Sequence, residues 1–284
     1  MDAIDTPVLD NHLHLDPEHG RGMDAVEAFV RVGGTHLLVV NKPSWQLGIE
    51  VEAPADFRAV FETTCDIVAA ATERLPGRAW PVLGVHPTLI SRLVDERGYE
   101  PEAAADLMAG GLDVAAEFVS AGRALAVKSG RPHYETTPEV TEASNRVLRH
   151  ALSIGADQDC AVQLHTEATE DLSDVAEWAE TAGLPPEMVV KHYAAGQLAG
   201  VTPSVMSDRD RLTRAAENGG PFLMETDFVD DPERPGAVLG PKTVPRRVTW
   251  LLEAGHTAAV RTAHVQTPAT VYGIDTEATL DPAE

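Results

Sequence analysis

Short runs of aliphatic and β-branched residues alternate along the chain with longer stretches in which apolar residues recur every three or four positions. The short runs are typical of buried strands and the longer stretches of amphipathic helices. Eight strands are predicted, at residues 8–11, 35–41, 80–85, 124–127, 160–164, 188–191, 202–206 and 222–226. Helices are predicted at residues 24–32, 55–73, 101–120, 139–153, 172–181, 209–218, 246–253 and 268–272.

Strands that alternate with helices at this spacing indicate parallel pairing through crossover helices. Eight such units close most naturally into a (β/α)8 TIM barrel, in which functional groups gather at the carboxyl ends of the strands. An open doubly wound sheet is the alternative, and it is disfavoured because no glycine-rich phosphate loop follows the first strand. With 284 residues, 43% of them hydrophobic, and no evident linker or repeat, the chain is predicted to form one domain over residues 1–284.

Polar side chains cluster where the predicted strands end. His12 and His14 follow the first strand, and being two residues apart they share a face. The other strand ends carry Asn41, Lys42, His86, Lys128, His165, His192, Tyr193, Ser204 and Asp227. The remaining histidines are predicted to be surface or capping groups: His19, His36, His133, His150, His256 and His264.

This set of strand-end residues is typical of a catalytic metal site. Imidazoles suit zinc, with manganese and iron as alternatives, and such a site activates a water for attack on the substrate. The proposed nitrogen ligands are His12, His14, His165 and His192. Asp227 would bind metal and accept the proton of the attacking water, which makes it the predicted catalytic residue. A helix cap at Asp227 is less favoured, because residues 228–235 are rich in turn formers.

Lys128 allows two interpretations. Surrounded by histidines and metal, its ammonium would be disfavoured, and a neutral amine could add carbon dioxide to form a carbamate that bridges two cations. Alternatively, Lys128 keeps its charge, takes the place of a second metal and binds a substrate anion. The sequence therefore leaves both one and two divalent ions open.

Several motifs occur in the order found in one family. They are His12-Leu13-His14, Gly84-Val85-His86-Pro87, Leu164-His165, Lys191-His192 followed by Gly196, Met224-Glu225-Thr226-Asp227, and a last helix at 268–274. Over nearly its whole length the chain resembles the TatD-related metal-dependent hydrolases of the amidohydrolase superfamily. The resemblance implies that His12, His14, His165, His192 and Asp227 bind metal. It also implies that His86 and Glu225 lie beside the substrate.

The resemblance has one departure. TatD relatives usually carry a bridging glutamate after strand four, where this chain has Lys128, and here it is more similar to phosphotriesterase-type amidohydrolases with a carbamylated lysine. The following Gly130-Arg131-Pro132-His133 resembles an archaeal TatD-like subgroup. Arg131 could bind a substrate phosphate or carboxylate through its planar guanidinium, or it could form a structural salt bridge.

The formal charge of −23 opposes binding of free nucleic acid unless salt screens the field or metal ions bridge the contact. The presence of only four lysines predicts adaptation to high salt. We therefore expect hydrolysis of an ester-type bond, phosphodiesters included, in a small-molecule or phosphate-bearing substrate. The alternatives are a single-strand 3'-5' exonuclease, a phosphotriesterase-like lactonase or amidohydrolase, and an inert metal-binding barrel.

The cellular compartment is predicted from what the sequence lacks. Cys65 and Cys160 are too few and too far apart for a disulfide framework, so a reducing cytoplasm is expected. The start of the chain lacks the basic and apolar regions of a signal peptide. No stretch approaches the roughly 20 apolar residues of a membrane span, so no membrane contact is expected.

Overall fold

A computed structural model of the chain describes residues 6–233 and 238–280. All strands in these ranges belong to one parallel sheet, in the order β8-β7-β6-β5-β4-β3-β2-β1-β9. They are β1 Leu9–His14, β2 His36–Val40, β3 Ala79–Gly84, β4 Ala126–Gly130, β5 Ala161–His165, β6 Val189–Ala194, β7 Thr202–Met206, β8 Leu223–Glu225 and β9 Phe228–Val229. The predicted domain range 1–284 includes residues 1–5, 234–237 and 281–284, which lie outside the described residues.

The last strand of the sheet is divided into two parts. β8 pairs with β7, whereas β9, separated from β8 by Thr226 and Asp227, pairs with β1. Because the two parts bond to opposite neighbours, the curled sheet closes on itself as a (β/α)8 barrel, which confirms the predicted fold. The predicted eighth strand, 222–226, contains β8, whereas β9 was not predicted.

Asp10 explains where the last strand divides. Its buried carboxylate accepts hydrogen bonds from the backbone nitrogen and the hydroxyl of Thr226, at 3.0 and 2.6 Å. The next residue, Asp227, adopts a left-handed backbone with φ of 48° and donates its N–H to the His12 carbonyl at 3.0 Å. Thr226 is thereby bonded to a side chain of β1 and Asp227 to its backbone, so both lie at the barrel mouth.

Helices follow most strands and pack around the barrel. They are α1 Met23–Val30, α2 Phe57–Thr72, α3 Leu89–Ser91, α4 Pro101–Ser120, α5 Pro138–Gln158, α6 Ser173–Ala182, α7 Arg209–Asn218, α8 Thr243–Glu253, α9 Thr257–Arg261 and α10 Thr267–Tyr272. The short α3 and α9 were not predicted. None of the helices in the described ranges has both the length and the apolar character to cross a bilayer. Cys65 and Cys160 are free thiols.

Strand side chains alternate between two cores. Leu37 and Val39 point outward toward α1 and α2, whereas Leu38 and Val40 point into the barrel. The interior core also includes Tyr272 from α10, so the last helix contributes to the inside of the barrel.

Two histidines outside the strand ends are buried rather than superficial. His264 accepts a hydrogen bond from the Leu9 backbone nitrogen at 3.0 Å, and His36 pairs with the Thr35 hydroxyl at 2.7 Å. The prediction that both are surface or capping groups was wrong. Burial lowers the pKa of His36 to about 4 and that of His264 to about 3, because desolvation disfavours the imidazolium.

These two buried imidazoles predict acid-sensitive stability. Below about pH 6.5 the unfolded chain binds protons at His36 and His264 that the folded chain does not, so the free energy of unfolding should fall with decreasing pH. Each group contributes a slope of up to about 1.4 kcal/mol per pH unit. In urea titrations between about pH 7 and pH 5, His264→Gln should show a shallower slope than the parent protein, whereas His19→Gln, with a side chain 70% exposed, should not. Equal slopes for His264→Gln and the parent would contradict this account.

Candidate metal centre

Two imidazole nitrogens and a carboxylate converge at the mouth of the barrel. His12 Nδ1 lies 2.8 Å from Gln163 Oε1, and His14 Nδ1 lies 2.9 Å from the Val40 carbonyl. Both Nδ1 atoms are thus engaged, and the Nε2 atoms of the two rings each lie 3.8 Å from Asp227 Oδ1. The three potential ligand atoms lie within 4.8 Å of one another. The alternation along β1 that places both rings on one face accounts for this convergence.

A second group of potential ligands shares His12. It consists of His12, His192 and Glu225, all buried and within 4.8 Å of one another. His192 Nδ1 lies 3.5 Å from Glu225 Oε1, and within the described part of the chain it makes no hydrogen bond although the atom is buried. A buried imidazole nitrogen without a partner is costly, and a cation would satisfy it. The residues present therefore fit a divalent metal at either of two adjacent positions, of which one at a time can use His12 Nε2.

Lys128 lies on β4 beside the first group. Its ammonium nitrogen is 3.4 Å from His12 Nε2, and the residue is buried. Burial lowers the pKa of Lys128 to about 8, and the nearby Asp227 and Glu225 carboxylates oppose the shift without cancelling it. Lys128 thus has a much larger neutral fraction near pH 7 than an exposed lysine has.

The other two strand-end lysines have structural partners. Lys42 donates to the Asp16 carboxylate at 2.8 Å, and Lys191 donates to two backbone carbonyl oxygens at 2.8 and 3.2 Å. Lys128 differs from both, because its contact is with a potential metal ligand. Of the three lysines that the strand-end pattern indicated, Lys128 is the one at the centre.

His165 connects the centre to the surface. Its Nδ1 lies 2.7 Å from His192 Nε2 and its Nε2 lies 3.0 Å from His133 Nδ1, so it stands beside the two ligand groups rather than within either. The His86 ring packs against it with centroids 4.6 Å apart. His133, predicted to be a surface group, has an exposed side chain and nevertheless contacts His165. Its place in the loop after β4, at the carboxyl end of a strand, was the signal available in the sequence.

Arg131 forms a salt bridge rather than presenting a free guanidinium. Its Nε donates to Glu167 at 2.9 Å, one terminal nitrogen donates to the same carboxylate, and the other donates to Asp174 at 2.8 Å. The guanidinium also lies 5.8 Å from the centre of the Trp178 ring. Of the two interpretations of Arg131, the described contacts are those of the structural salt bridge.

Glu225 accepts a hydrogen bond from a residue with a strained backbone conformation. Tyr193 adopts a left-handed φ of 57°, which is unfavourable for a bulky residue, and its N–H donates to Glu225 Oε1 at 2.6 Å. Asp227 also has a positive φ. Strained residues concentrate at functional sites, where surrounding contacts maintain them. The strain at two residues beside the candidate ligands therefore marks this end of the barrel as the functional one.

The electrostatics of the centre favour a bound cation. Burial and the neighbouring Asp227 carboxylate raise the pKa of Glu225 well above its usual value, and burial raises that of Asp10 to about 7. Burial lowers the pKa of each nearby imidazole below its usual value, so that neutral rings are available as ligands; these are His12, His14, His86, His165 and His192. A divalent ion would relieve the repulsion between the carboxylates and would bind the neutral nitrogens.

A cavity of about 710 Å³ opens beside His133. It lies between the loops that follow β4 and β5, and this volume is within the range of small-molecule sites. Its described lining residues are Arg131, Pro132, His133, Tyr134, Glu135, Thr136, Thr141, Ser144, Asn145 and Glu167. Arg131 is the one arginine or lysine among them, and its charge is already paired.

Comparisons with known proteins agree with this architecture. The family model described as TatD related DNase matches residues 9–272. The uncharacterized protein MJ1127 of the archaeon Methanocaldococcus jannaschii is 31% identical to this chain over an alignment 293 residues long. The alignment covers 98% of this chain and 100% of that protein. The resemblance found in the sequence motifs is thus confirmed.

Solved structures show the same fold at lower identity. A TatD-like protein from Archaeoglobus fulgidus has a TM-score of 0.58 at 16% identity, over 94% of this chain and 100% of that one. A mutant organophosphorus hydrolase from Deinococcus radiodurans also has a TM-score of 0.58 at 16% identity, over 96% and 95% of the two chains. Because the family match spans nearly the whole chain and the archaeal relative is similar from end to end, the chain belongs to the TatD-related DNase family of metal-dependent hydrolases.

Proposed function

We propose that the chain hydrolyses an ester-type bond, phosphodiesters included, at a centre that binds one or two divalent ions, with zinc as the native metal. The proposed metal-binding residues are His12, His14, Lys128, His165, His192 and Asp227. His86, Arg131 and Glu225 are proposed to lie beside the substrate. The observation that supports this best is the convergence of two Nε2 atoms on the Asp227 carboxylate, at 3.8 Å each.

The side chains around the centre have separable roles in such a reaction. A bound zinc ion supplies Lewis acidity and makes a neighbouring water acidic near neutral pH. Asp227, half-buried beside both Nε2 atoms, is placed to accept a proton at its carboxylate. His86 packs against His165 at the same mouth, where it can contact a substrate oxygen. The Asp10 contacts to Thr226 keep the Asp227 backbone in the required orientation.

The charge of the cavity supports a small substrate. The Arg131 guanidinium is paired with the Glu167 and Asp174 carboxylates, and Glu135 adds further negative charge to the lining. A nucleic-acid strand binds through its phosphates and needs unpaired cations. A small ester with a neutral polar substituent meets no such requirement. The DNase description of the family favours a second candidate, single-strand 3'-5' exonuclease activity, which would depend on metal ions or salt to neutralise the strand.

Lys128 is proposed to carry a carbamate that bridges the two cation positions. The amine is buried, its pKa is lowered by burial, and it lies 3.4 Å from His12 Nε2, at the residue that both ligand groups share. A carbamate would add a carboxylate where TatD relatives usually carry a bridging glutamate.

High-salt adaptation, a cytoplasmic location and a single domain over 1–284 are further proposals, and they rest on composition and the two cysteines.

Asp227→Asn tests the proton-acceptor role. With zinc or manganese supplied at high salt, the parent protein should hydrolyse members of a panel of phosphodiesters, lactones and carboxylic esters. The variant should keep its bound metal, because the amide oxygen can still ligate, but should lose about 100-fold or more in kcat, because the amide cannot take the proton. Asp210→Asn, an exposed change on α7, should leave both quantities unaltered. Full activity in Asp227→Asn would contradict the role, and no turnover by the parent on any panel member would favour the inert barrel.

Lys128→Glu tests the carbamate. In the parent protein incubated with 13C-labelled bicarbonate and zinc, carbon NMR should show one carbamate per chain, and two zinc ions should bind. Lys128→Glu should show no carbamate signal yet bind two ions without bicarbonate, because its carboxylate replaces the bridge. Lys42→Arg should keep the signal, since Lys42 pairs with Asp16. Two bound ions with no carbamate in the parent would rule out the carbamate.

A further inference from the structure

A chain of buried hydrogen bonds lies beneath the candidate metal centre and joins four strands to the last helix. It runs from Gln163 on β5 to Tyr272 on α10 and then to Asn11 on β1. It continues through Ser204 on β7 to Glu225 on β8. All five residues are buried, so each polar group that loses its partner would go unsatisfied.

The orientation of the Gln163 amide follows from its neighbours. One end of the amide lies 3.1 Å from the Asn11 carbonyl oxygen and 2.9 Å from the Tyr272 hydroxyl. A carbonyl oxygen can only accept, so this end must be the NH2 group. The other end, 2.8 Å from His12 Nδ1, is therefore the oxygen, which can only accept as well. His12 must then carry its proton on Nδ1.

The donors and acceptors in the remaining hydrogen bonds of this series are also defined. Having accepted from Gln163, the Tyr272 hydroxyl donates to Asn11 Oδ1 at 2.9 Å. The Asn11 amide then donates to Ser204 at 3.0 Å, and Ser204 donates to one oxygen of Glu225. The other Glu225 oxygen accepts from the Tyr193 backbone. Each donor thus has an acceptor, and the series of hydrogen bonds ends on Glu225, which in its ionised form accepts at both oxygens.

From this geometry we propose that Gln163, oriented by Tyr272 and Asn11, is a positioning residue that keeps His12 in the tautomer with an unprotonated Nε2 facing the metal. His12 belongs to both candidate ligand groups, and its Nε2 can bind a cation in one of them at a time, so its tautomer decides whether either group can use this ring. The same series of hydrogen bonds extends to Glu225, a member of the second group. It therefore connects two potential ligands, His12 and Glu225, through Tyr272. The last helix therefore contributes to metal affinity as well as to the barrel core.

This series of hydrogen bonds also cross-links the strands of the barrel. A variant in it could therefore lower the free energy of unfolding without changing the His12 tautomer. Two measurements separate these roles. The first is the 15N chemical shifts of the His12 ring nitrogens in the intact, metal-free protein, which report which nitrogen carries the proton and need no variant. The second is the zinc dissociation constant, measured by competition with a chromophoric chelator, in variants that remain folded.

Gln163→Met keeps a similar length and removes the acceptor for His12 Nδ1. It should raise the zinc dissociation constant by about 10- to 100-fold, as is usual when the partner of a ligating histidine is lost. Tyr272→Phe removes one of the two acceptors that orient the Gln163 amide, together with the donor to Asn11, but leaves the Gln163 oxygen in place for His12, so a smaller increase is expected. Ser129→Ala is the matched control, because Ser129 is buried on the adjacent strand β4 and its hydroxyl makes no hydrogen bond in the described part of the chain.

The proposal rests on the metal centre proposed above, and the outcomes distinguish the two. A parent protein that does not bind zinc would overturn the metal centre together with this inference. A parent that binds zinc, with Gln163→Met binding it equally well, would overturn the inference alone. A His12 proton found on Nε2 in the parent protein would also overturn it. A proton on Nδ1 with weakened zinc binding in Gln163→Met and unchanged binding in Ser129→Ala would support it.

Discussion

The backbone hydrogen bond from Asp227 to the carbonyl of His12 joins the first strand of the barrel to the last. This hydrogen bond depends on the division of the last strand. β8 pairs with β7, and after β8 the backbone turns so that β9 can pair with β1. Closure of the barrel and assembly of the candidate metal centre are therefore one structural event. The Asp227 carboxylate lies 3.8 Å from Nε2 of both His12 and His14 because Asp227 belongs to the segment between β8 and β9 that closes the sheet.

Burial gives the centre its chemistry. Carboxylates at Asp10, Glu225 and Asp227 lie among neutral imidazoles, with the buried Lys128 and Lys191 side chains nearby. In a desolvated setting this arrangement is costly for the protein alone, since like charges repel and water is excluded. A divalent ion changes the balance, because it attracts the carboxylates and uses the nitrogen lone pairs that burial keeps unprotonated. The same desolvation that is costly in the metal-free protein thus favours metal binding and lowers the pKa of Lys128.

Much of this arrangement could be predicted from the sequence, because it depends on local periodicity. The two-residue spacing of His12 and His14 places both rings on one face of β1, and the alternation of strands with helices indicates a barrel whose strand ends converge. The position of Lys128 was predicted for the same reason. These inferences need only the register of each strand and the rule that parallel strands end at one edge.

Other features depend on contacts between distant positions, which no local pattern encodes. The division of the last strand follows from the Asp10 contact to Thr226, 216 positions along the chain. Gln163 reads as an ordinary strand residue, and its role appears only when the hydroxyl of Tyr272 lies 2.9 Å away. His36 and His264 were misassigned because isolated histidines give no sign of burial.

Anomalous diffraction from crystals grown with zinc, measured above and below the zinc edge, can show whether His12, His14 and Asp227 together bind a metal ion. We expect an anomalous peak bonded to Nε2 of both histidines and to the Asp227 carboxylate. A peak confined to surface carboxylates, or an empty barrel mouth in crystals that contain zinc elsewhere, would contradict it.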